Sequence, residues 1–148
     1  MAQSLKDSIY TAFGLEDKDL RTYSPLTLAY IGDGVFDLLI RSLVVGRANM
    51  PPNRLHGHTS HIVKASSQAR IMEAIGPDLT EEEADIFRRG RNAKSYTHAK
   101  NASLMDYRIA TGFEALMGWH YLQGNMDRII ELTKIGLEET DLSAQERR

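Results

Sequence analysis

Two carboxylates stand alone in apolar stretches whose hydrophobic spacing predicts helices. Asp33 lies between two glycines in the run LAYIGDGVFD, and Glu114 is the one charged residue in IATGFEALMGW. Each glycine inside a helix costs about 1 kcal/mol relative to alanine. A carboxylate in apolar surroundings is unfavourable unless it is paired, hydrogen-bonded or bound to a metal. Unfavourable glycines and an unfavourable carboxylate together at one position are typical of a functional site.

The isolated glutamate allows two interpretations. In the first, a base such as Arg70 or Arg108 neutralises Glu114, and the pair is structural. In the second, Asp33 and Glu114 face each other, and their repulsion keeps one of them protonated unless a divalent cation lies between them. Oxygen ligands favour Mg²⁺, with Mn²⁺ as a substitute, over zinc. The second interpretation therefore predicts a Mg²⁺ site held by Asp33 and Glu114.

Two further side chains share helix faces with these candidate ligands. Asp37 follows Asp33 by one helical turn, and Thr111 precedes Glu114 by three residues. Each is a candidate to hold a ligand in place through a hydrogen bond. For Asp37 the alternative is a solvated carboxylate at the rim of the site.

Charge is unevenly distributed, although the net charge is only −2. Residues 78–85 hold five acids and no base, whereas residues 88–108 hold six bases and one acid. This pattern fits a solvated helix whose end charges complement the helix dipole, or a phosphate-binding patch. The candidates for binding phosphates, such as those of a nucleic acid, are Arg88, Arg89, Arg91 and Lys94, with Lys64, His98 and Lys100 as weaker ones. In the segment HGHTSH, no acid or cysteine accompanies His56, His58 and His61, so capping or nucleic-acid contact is preferred to a structural metal.

Composition indicates one globular domain. The chain has 148 residues, of which 42% are hydrophobic and 26% charged. The absence of cysteine excludes disulfides, thiol catalysis and cysteine-ligated zinc. No apolar run approaches about 18 residues, so no membrane span is expected. The N-terminus lacks the pattern of a secretion signal, and a cytoplasmic location is the default expectation.

Helical patterns and caps predict an all-α fold, with the main domain over residues 24–138. A short N-terminal extension with one helix (1–23) precedes it, and a polar tail (139–148) follows. The helix of Asp33 starts at Ser24-Pro25 and ends at Gly46. Because it is apolar on both sides, we expect it to be central and mostly buried. The other predicted helices cover about 5–13, 60–75, 80–90, a region that begins before residue 103 and ends at 122, and 125–137. Loops are expected after Pro51-Pro52 and over 91–95.

Several segments resemble one enzyme family. PLTLAYIGDGVFDLLIR looks like the signature helix of the ribonuclease III catalytic domain, and ATGFEALMGWHYLQG is similar to its second acidic segment. RRGRNAKSYTHAKNA and MDYRIATGFEAL look like mini-ribonuclease III, the short bacterial branch that lacks a double-stranded-RNA-binding domain. The resemblance runs in order over residues 25–138.

The resemblance implies an endoribonuclease that cleaves double-stranded RNA. Asp33 and Glu114 would be the catalytic, metal-binding acids, and hydrolysis with Mg²⁺ would leave a 5′-phosphate and a 3′-hydroxyl. The family acts as a homodimer, for which we expect contacts from residues 38–40 and 43–45. The mini branch is linked to maturation of the 23S ribosomal RNA precursor, and a ribosomal protein is a further candidate partner.

The chain also departs from the full-length enzymes of this family. Three positions at which those enzymes carry acids hold Leu26, Ala29 and Thr111, which favours one Mg²⁺ over two. A non-catalytic, dimeric scaffold that binds double-stranded RNA is the alternative function. A carboxylate-bridged metal protein is the other alternative, but neither acid has a histidine three residues later, as such bundles need.

Overall fold

Residues 3–93 and 103–142, the part of the chain that the computed structural model describes, contain seven α-helices. No strand occurs in these residues, which confirms the predicted all-α fold. Two short 3₁₀ turns, Leu20–Thr22 and Gly76–Asp78, lie between helices. The helices are α1 (Leu5–Phe13), α2 (Pro25–Arg47), α3 (Pro52–Val63), α4 (Ala65–Ile75), α5 (Glu81–Asn92), α6 (Leu104–Leu122) and α7 (Met126–Thr140).

Side-chain caps start the helices that carry the isolated acids and the basic cluster. The Ser24 hydroxyl accepts a hydrogen bond from the backbone N–H of Thr27, and Pro25 occupies the first turn of α2. Thr80 and Glu83 form a reciprocal capping box at the start of α5. These bonds satisfy N–H groups that the first helical turn leaves without partners, so the predicted start signals are confirmed.

The central helix is α6, which packs against α2, α4, α5 and α7. It is buried around most of its circumference, with Phe113 and Met117 fully enclosed. By contrast, α2 buries one stripe that includes Phe36 and Ile40 and exposes Tyr30. The expectation that α2 is mostly buried on both faces is therefore wrong. Glycine and alanine along α6 allow neighbouring helices to approach it from several sides. Both α2 and α6 are apolar all round in the sequence, and this pattern does not show which of the two is central.

The predicted third helix is two helices, α3 and α4, which meet at Lys64. The backbone there is extended, with φ −63° and ψ 156°. The Ser67 hydroxyl donates to the carbonyl of His61, and the Gln68 amide donates to the carbonyl of Val63. These side chains take over acceptors that a continuous helix would have used, and hydrophobic spacing does not reveal such bonds.

Two other predicted boundaries are also wrong. The HGHTSH segment lies on α3 rather than in a loop, because Pro52 occupies the first turn of a helix, where proline is favoured. Gly46 lies inside α2. The first residues of the predicted polar tail (139–148) belong to the folded domain, since α7 continues to Thr140 and Leu142 is buried. No helix in the described residues combines the length and hydropathy that a bilayer crossing requires.

Candidate active site

Two glycines allow α2 and α6 to touch through their backbones. A Cβ atom on Gly118 would lie 1.9 Å from the carbonyl oxygen of Leu28, and Gly32 meets the backbone of α6 just as closely. Any side chain at either position would force the two helices apart. Because Asp33 follows Gly32 directly, this crossing carries its carboxylate to the turn of α6 that holds Glu114.

The structure brings the two predicted acids together. The carboxylates of Asp33 and Glu114 lie close enough to interact electrostatically. Burial, followed by the neighbouring Asp33 carboxylate, raises the pKa of Glu114 to about 8. Asp33 itself is exposed, while Glu114 is partly buried. The site therefore opens to solvent on the α2 side, although the apolar neighbours of Asp33 had suggested an enclosed carboxylate.

The bases that could have neutralised Glu114 lie elsewhere. The Arg70 guanidinium donates to the backbone carbonyl of Thr140 at 2.9 Å, and Arg108 is exposed. Within the described residues, the groups that shift the pKa of Glu114 include no base. The geometry thus favours the interpretation in which the two acids face each other.

Gln68 is a third polar group at this site, and it was not predicted from the sequence. Its side chain is buried, and its Nε2 donates to the carbonyl of Val63 at 2.8 Å and lies 3.4 Å from Oε2 of Glu114. Its Oε1 is buried without a hydrogen-bond partner in the described residues. A signal existed in the sequence, because Gln68 shares the helical spacing of the buried residues Ile71, Met72 and Ile75 on α4.

This donor set fits a hard divalent cation. No group of three or more histidine, cysteine, aspartate or glutamate side chains with metal-binding geometry occurs in the described residues. Two carboxylates beside an amide oxygen that lacks a partner provide only oxygen donors. Mg²⁺ is commonly held by one or two carboxylates and keeps several of its waters, which matches the number of carboxylates present here.

The two side chains predicted to support these ligands have partners within their own helices. The carboxylate of Asp37 accepts a hydrogen bond from Arg41 at 2.7 Å, on the surface of α2. The buried Thr111 hydroxyl donates to the carbonyl of Tyr107 at 2.9 Å. The pairing of Asp37 agrees with the solvated alternative, and supporting roles for both residues stay predictions.

The described part of the basic cluster lies in the last turns of α5, which packs against α6. A Cβ atom on Gly90 would lie 2.8 Å from Cα of Gly112, two residues before Glu114. Arg89 and Arg91 flank Gly90, so this contact fixes their position relative to the helix that carries Glu114. Of the remaining candidates, Arg88 pairs with Asp85 at 3.2 Å, and Lys64 is exposed at the α3–α4 junction. Lys94, His98 and Lys100 lie outside the described residues.

A buried charged network, also not predicted from the sequence, joins α5, α6 and α7. Both Glu83 carboxylate oxygens accept hydrogen bonds from Arg128, and one lies 2.6 Å from Nε2 of His120. Burial acts to raise the pKa of Glu83, but Arg128, the backbone N–H of Thr80 and His120 outweigh it and hold the pKa at about 2. Burial lowers the pKa of His120 despite this neighbour. The network ties three helices together and does not contact the acids.

Comparison with known proteins gives consistent matches over this region. The Ribonuclease III domain model matches residues 26–125. The chain is 43% identical over 129 residues to mini-ribonuclease 3 of Clostridium tetani, covering 86% of this chain and 85% of that protein. It is 45% identical over 117 residues to mini-ribonuclease 3 of Enterococcus faecalis, covering 78% of this chain and 89% of that protein. A crystal structure of a Fusobacterium nucleatum protein, 32% identical, superposes with a TM-score of 0.74 over 83% of this chain and 98% of that one.

Proposed function

We propose that this chain, which belongs to the ribonuclease III domain family, cleaves double-stranded RNA as a Mg²⁺-dependent endoribonuclease. The observation that carries the proposal is the juxtaposition of Asp33 and Glu114 across the α2–α6 crossing. The two acids lie on segments that match the family, and the site opens to solvent on the side of Asp33. A phosphodiester backbone can therefore approach it.

In this proposal, Asp33 and Glu114 hold one Mg²⁺, with Mn²⁺ as a substitute in vitro. When bound, the ion supplies stabilisation of negative charge on the phosphate and a lowered pKa for the attacking water. Glu114, held by the rigid α6 backbone, fixes one side of the site, and the exposed Asp33 faces the substrate. The residues Leu26, Ala29 and Thr111 provide no further carboxylates, which supports one ion rather than two. The products would carry a 5′-phosphate and a 3′-hydroxyl.

The basic residues at the end of α5 would position the duplex. Double-stranded RNA is recognised by its shape, its phosphates and its 2′-hydroxyls, with little reading of base sequence. Arg89 and Arg91 flank the glycine that packs beside the α6 turn before Glu114, so phosphates bound there would lie near the acids. The full proposed set is Arg88, Arg89, Arg91, Lys94, Lys100 and Lys64.

An exposed apolar face supports a homodimer in which each subunit cuts one strand. Leu5, Leu38 and Ile130 are each about half exposed and line an apolar groove of about 400 Å³. Apolar surface collected in this way favours association. Ile40 and Val44 are buried in the core of the single chain. The dimer contact expected from residues 38–40 and 43–45 is therefore limited to exposed side chains such as Leu38.

The proposed physiological substrate is the 23S ribosomal RNA precursor in the cytoplasm, with a ribosomal protein as a candidate partner. The test of activity is cleavage of a purified RNA duplex with Mg²⁺ and its loss with EDTA, compared with Asp33→Asn. If the wild type binds the duplex but leaves it intact at saturating Mg²⁺ and Mn²⁺, the non-catalytic scaffold is the better description. The missing acids at Leu26, Ala29 and Thr111 are the observation that keeps this alternative open.

A further inference from the structure

Gln68 has one satisfied and one unsatisfied end. The side chain is 3% exposed, and its amide nitrogen donates to the carbonyl of Val63. A carbonyl oxygen can only accept, so this bond fixes which end of the amide points to Val63. The other end, Oε1, is buried without a partner in the described residues.

A buried acceptor without a hydrogen-bond partner destabilises the fold. Leucine or methionine would fill the same volume on α4 without that penalty, so capping of α3 explains only the nitrogen of this amide. The nitrogen also lies 3.4 Å from Oε2 of Glu114, which puts the unpaired oxygen beside the proposed cation site. At this position the Gln68 oxygen could accept a hydrogen bond from a group that is present only when a cation is bound.

We propose that Gln68 is a positioning residue of the cation site: its Nε2 holds the carboxylate of Glu114, and its Oε1 accepts a hydrogen bond from a water in the hydration shell of the ion. The inference rests on the proposed function, since it requires an ion at Asp33 and Glu114. Mg²⁺ retains several waters, each of which has protons to donate. Groups that orient ligands from outside the coordination shell change metal affinity by roughly 10–100-fold.

A neighbouring residue provides a matched control. Ser67 is also buried, and its hydroxyl donates to the carbonyl of His61 at the same α3–α4 junction. The described contacts of Ser67 do not include Glu114. Ser67→Ala therefore removes a bond at this junction and leaves the cation site intact, whereas Gln68→Leu changes both.

The test is titration of the purified, RNA-free protein with Mn²⁺, with the free ion followed by electron paramagnetic resonance. Gln68→Leu should weaken Mn²⁺ binding by roughly tenfold or more, and Ser67→Ala should bind as the wild type does. Gln68→Met, which has a flexible side chain of similar size, replaces the leucine variant if circular dichroism shows that it does not fold.

Wild-type affinity in the folded leucine or methionine variant would overturn the inference. Asp33→Asn separates this result from failure of the proposed function. If Asp33→Asn loses binding while the Gln68 variants retain it, the cation site stands and only the role of Gln68 falls. If Asp33→Asn binds Mn²⁺ as well as the wild type, the proposed site and the inference fall together.

Discussion

Gly32 packs so closely against Glu114 that a Cβ atom on the glycine would lie 1.7 Å from the backbone carbonyl oxygen of the glutamate. No side chain fits there unless α2 moves away from α6. Gly34, on the other side of Asp33, has no atom within 4 Å of the place that its Cβ would occupy. Two glycines that look equivalent in the sequence therefore have different roles.

Gly32→Ala should separate α2 from α6 and remove Mg²⁺-dependent cleavage. It should also lower the free energy of unfolding by about 1–3 kcal/mol or more, as overpacking does. Gly34→Ala is the matched control, because it makes the same change two residues away and should gain up to about 1 kcal/mol from helix propensity. Urea denaturation and a duplex cleavage assay measure both effects. Equal behaviour of the two variants would contradict the packing role of Gly32.

Asp33→Asn and Glu114→Gln should each reduce cleavage to background while leaving folding and duplex binding nearly intact. The amides keep the size of the side chains and lose the anionic oxygens that would hold the ion. The double variant should be scarcely worse than either single one, because both groups act through one ion. Single-turnover cleavage at saturating Mg²⁺ measures this, and a residual rate above about a tenth of wild type would count against the assignment.

The pairing of Asp33 with Glu114 could be predicted because each is a charged residue whose neighbours along the helix are mostly apolar. The exposure of Asp33 could not, since helical spacing assigns a residue to a face and does not show where that face reaches solvent. Gln68 and Glu83 were missed for another reason. Their partners lie far along the chain, Glu114 and Arg128 respectively, and hydrophobic spacing carries no information on such pairing.

The same limit explains the break between α3 and α4. A continuous apolar spacing predicts one helix, but Ser67 and Gln68 bond to carbonyls at the end of α3. Polar side chains that bond to nearby backbone compete with regular helix. By contrast, the capping box at Thr80 and Glu83 was predictable, because both partners lie within one turn.

Glu83 should make the protein sensitive to acid. Its pKa in the fold is about 2, below the ordinary value of 4.5. A carboxyl with a lowered pKa stabilises the fold fully above the unfolded-state value, and this contribution is lost as pH falls from about 4.5 towards 2. Glu83→Gln should flatten the loss of stability in that window.

The same substitution should also destabilise the protein at neutral pH, by about 1.5–3 kcal/mol for the weakened charge-assisted hydrogen bonds. Arg128 is only partly buried and keeps Glu131 and the carbonyl of Asp78 as partners. Thermal unfolding from pH 2 to pH 7 measures both effects. Glu82→Gln is the control, because Glu82 lies in the same helical turn and is exposed. If Glu83→Gln lost stability between pH 4.5 and pH 2 as the wild type does, a group other than Glu83 would cause the acid sensitivity.

Leu38→Asp should dissociate the proposed homodimer. The change puts a charge on an exposed apolar side chain that lines the groove with Leu5 and Ile130, so folding of the single chain should survive. Light scattering should give twice the chain mass of 16.7 kDa for the wild type and 16.7 kDa for the variant. Ser60→Asp, at an exposed position of α3, should stay dimeric. A monomeric wild type at micromolar concentration would rule out the dimer.

The basic end of α5 should control duplex affinity. Neutralising Arg89 and Arg91 together to glutamine should weaken binding alike for duplexes of different sequence, because phosphate contacts carry no base information. The slope of log affinity against log salt should become shallower by roughly one for each phosphate that the variant no longer neutralises. Lys18→Gln with Arg21→Gln, both exposed on the N-terminal segment, removes the same charge and should leave the slope unchanged.

Cleavage at saturating RNA separates positioning from chemistry in this arginine variant. Arg89 and Arg91 lie on α5, whereas Asp33 and Glu114 lie on α2 and α6, so turnover at saturating RNA should fall much less than affinity. Unchanged affinity and an unchanged salt slope would mean that these charges only complement the dipole of a helix that begins with Glu81, Glu82 and Glu83. The duplex would then approach from the α3–α4 side, where the exposed Lys64 follows Val63, the residue whose carbonyl accepts from Gln68. Lys64→Gln should then lower duplex affinity.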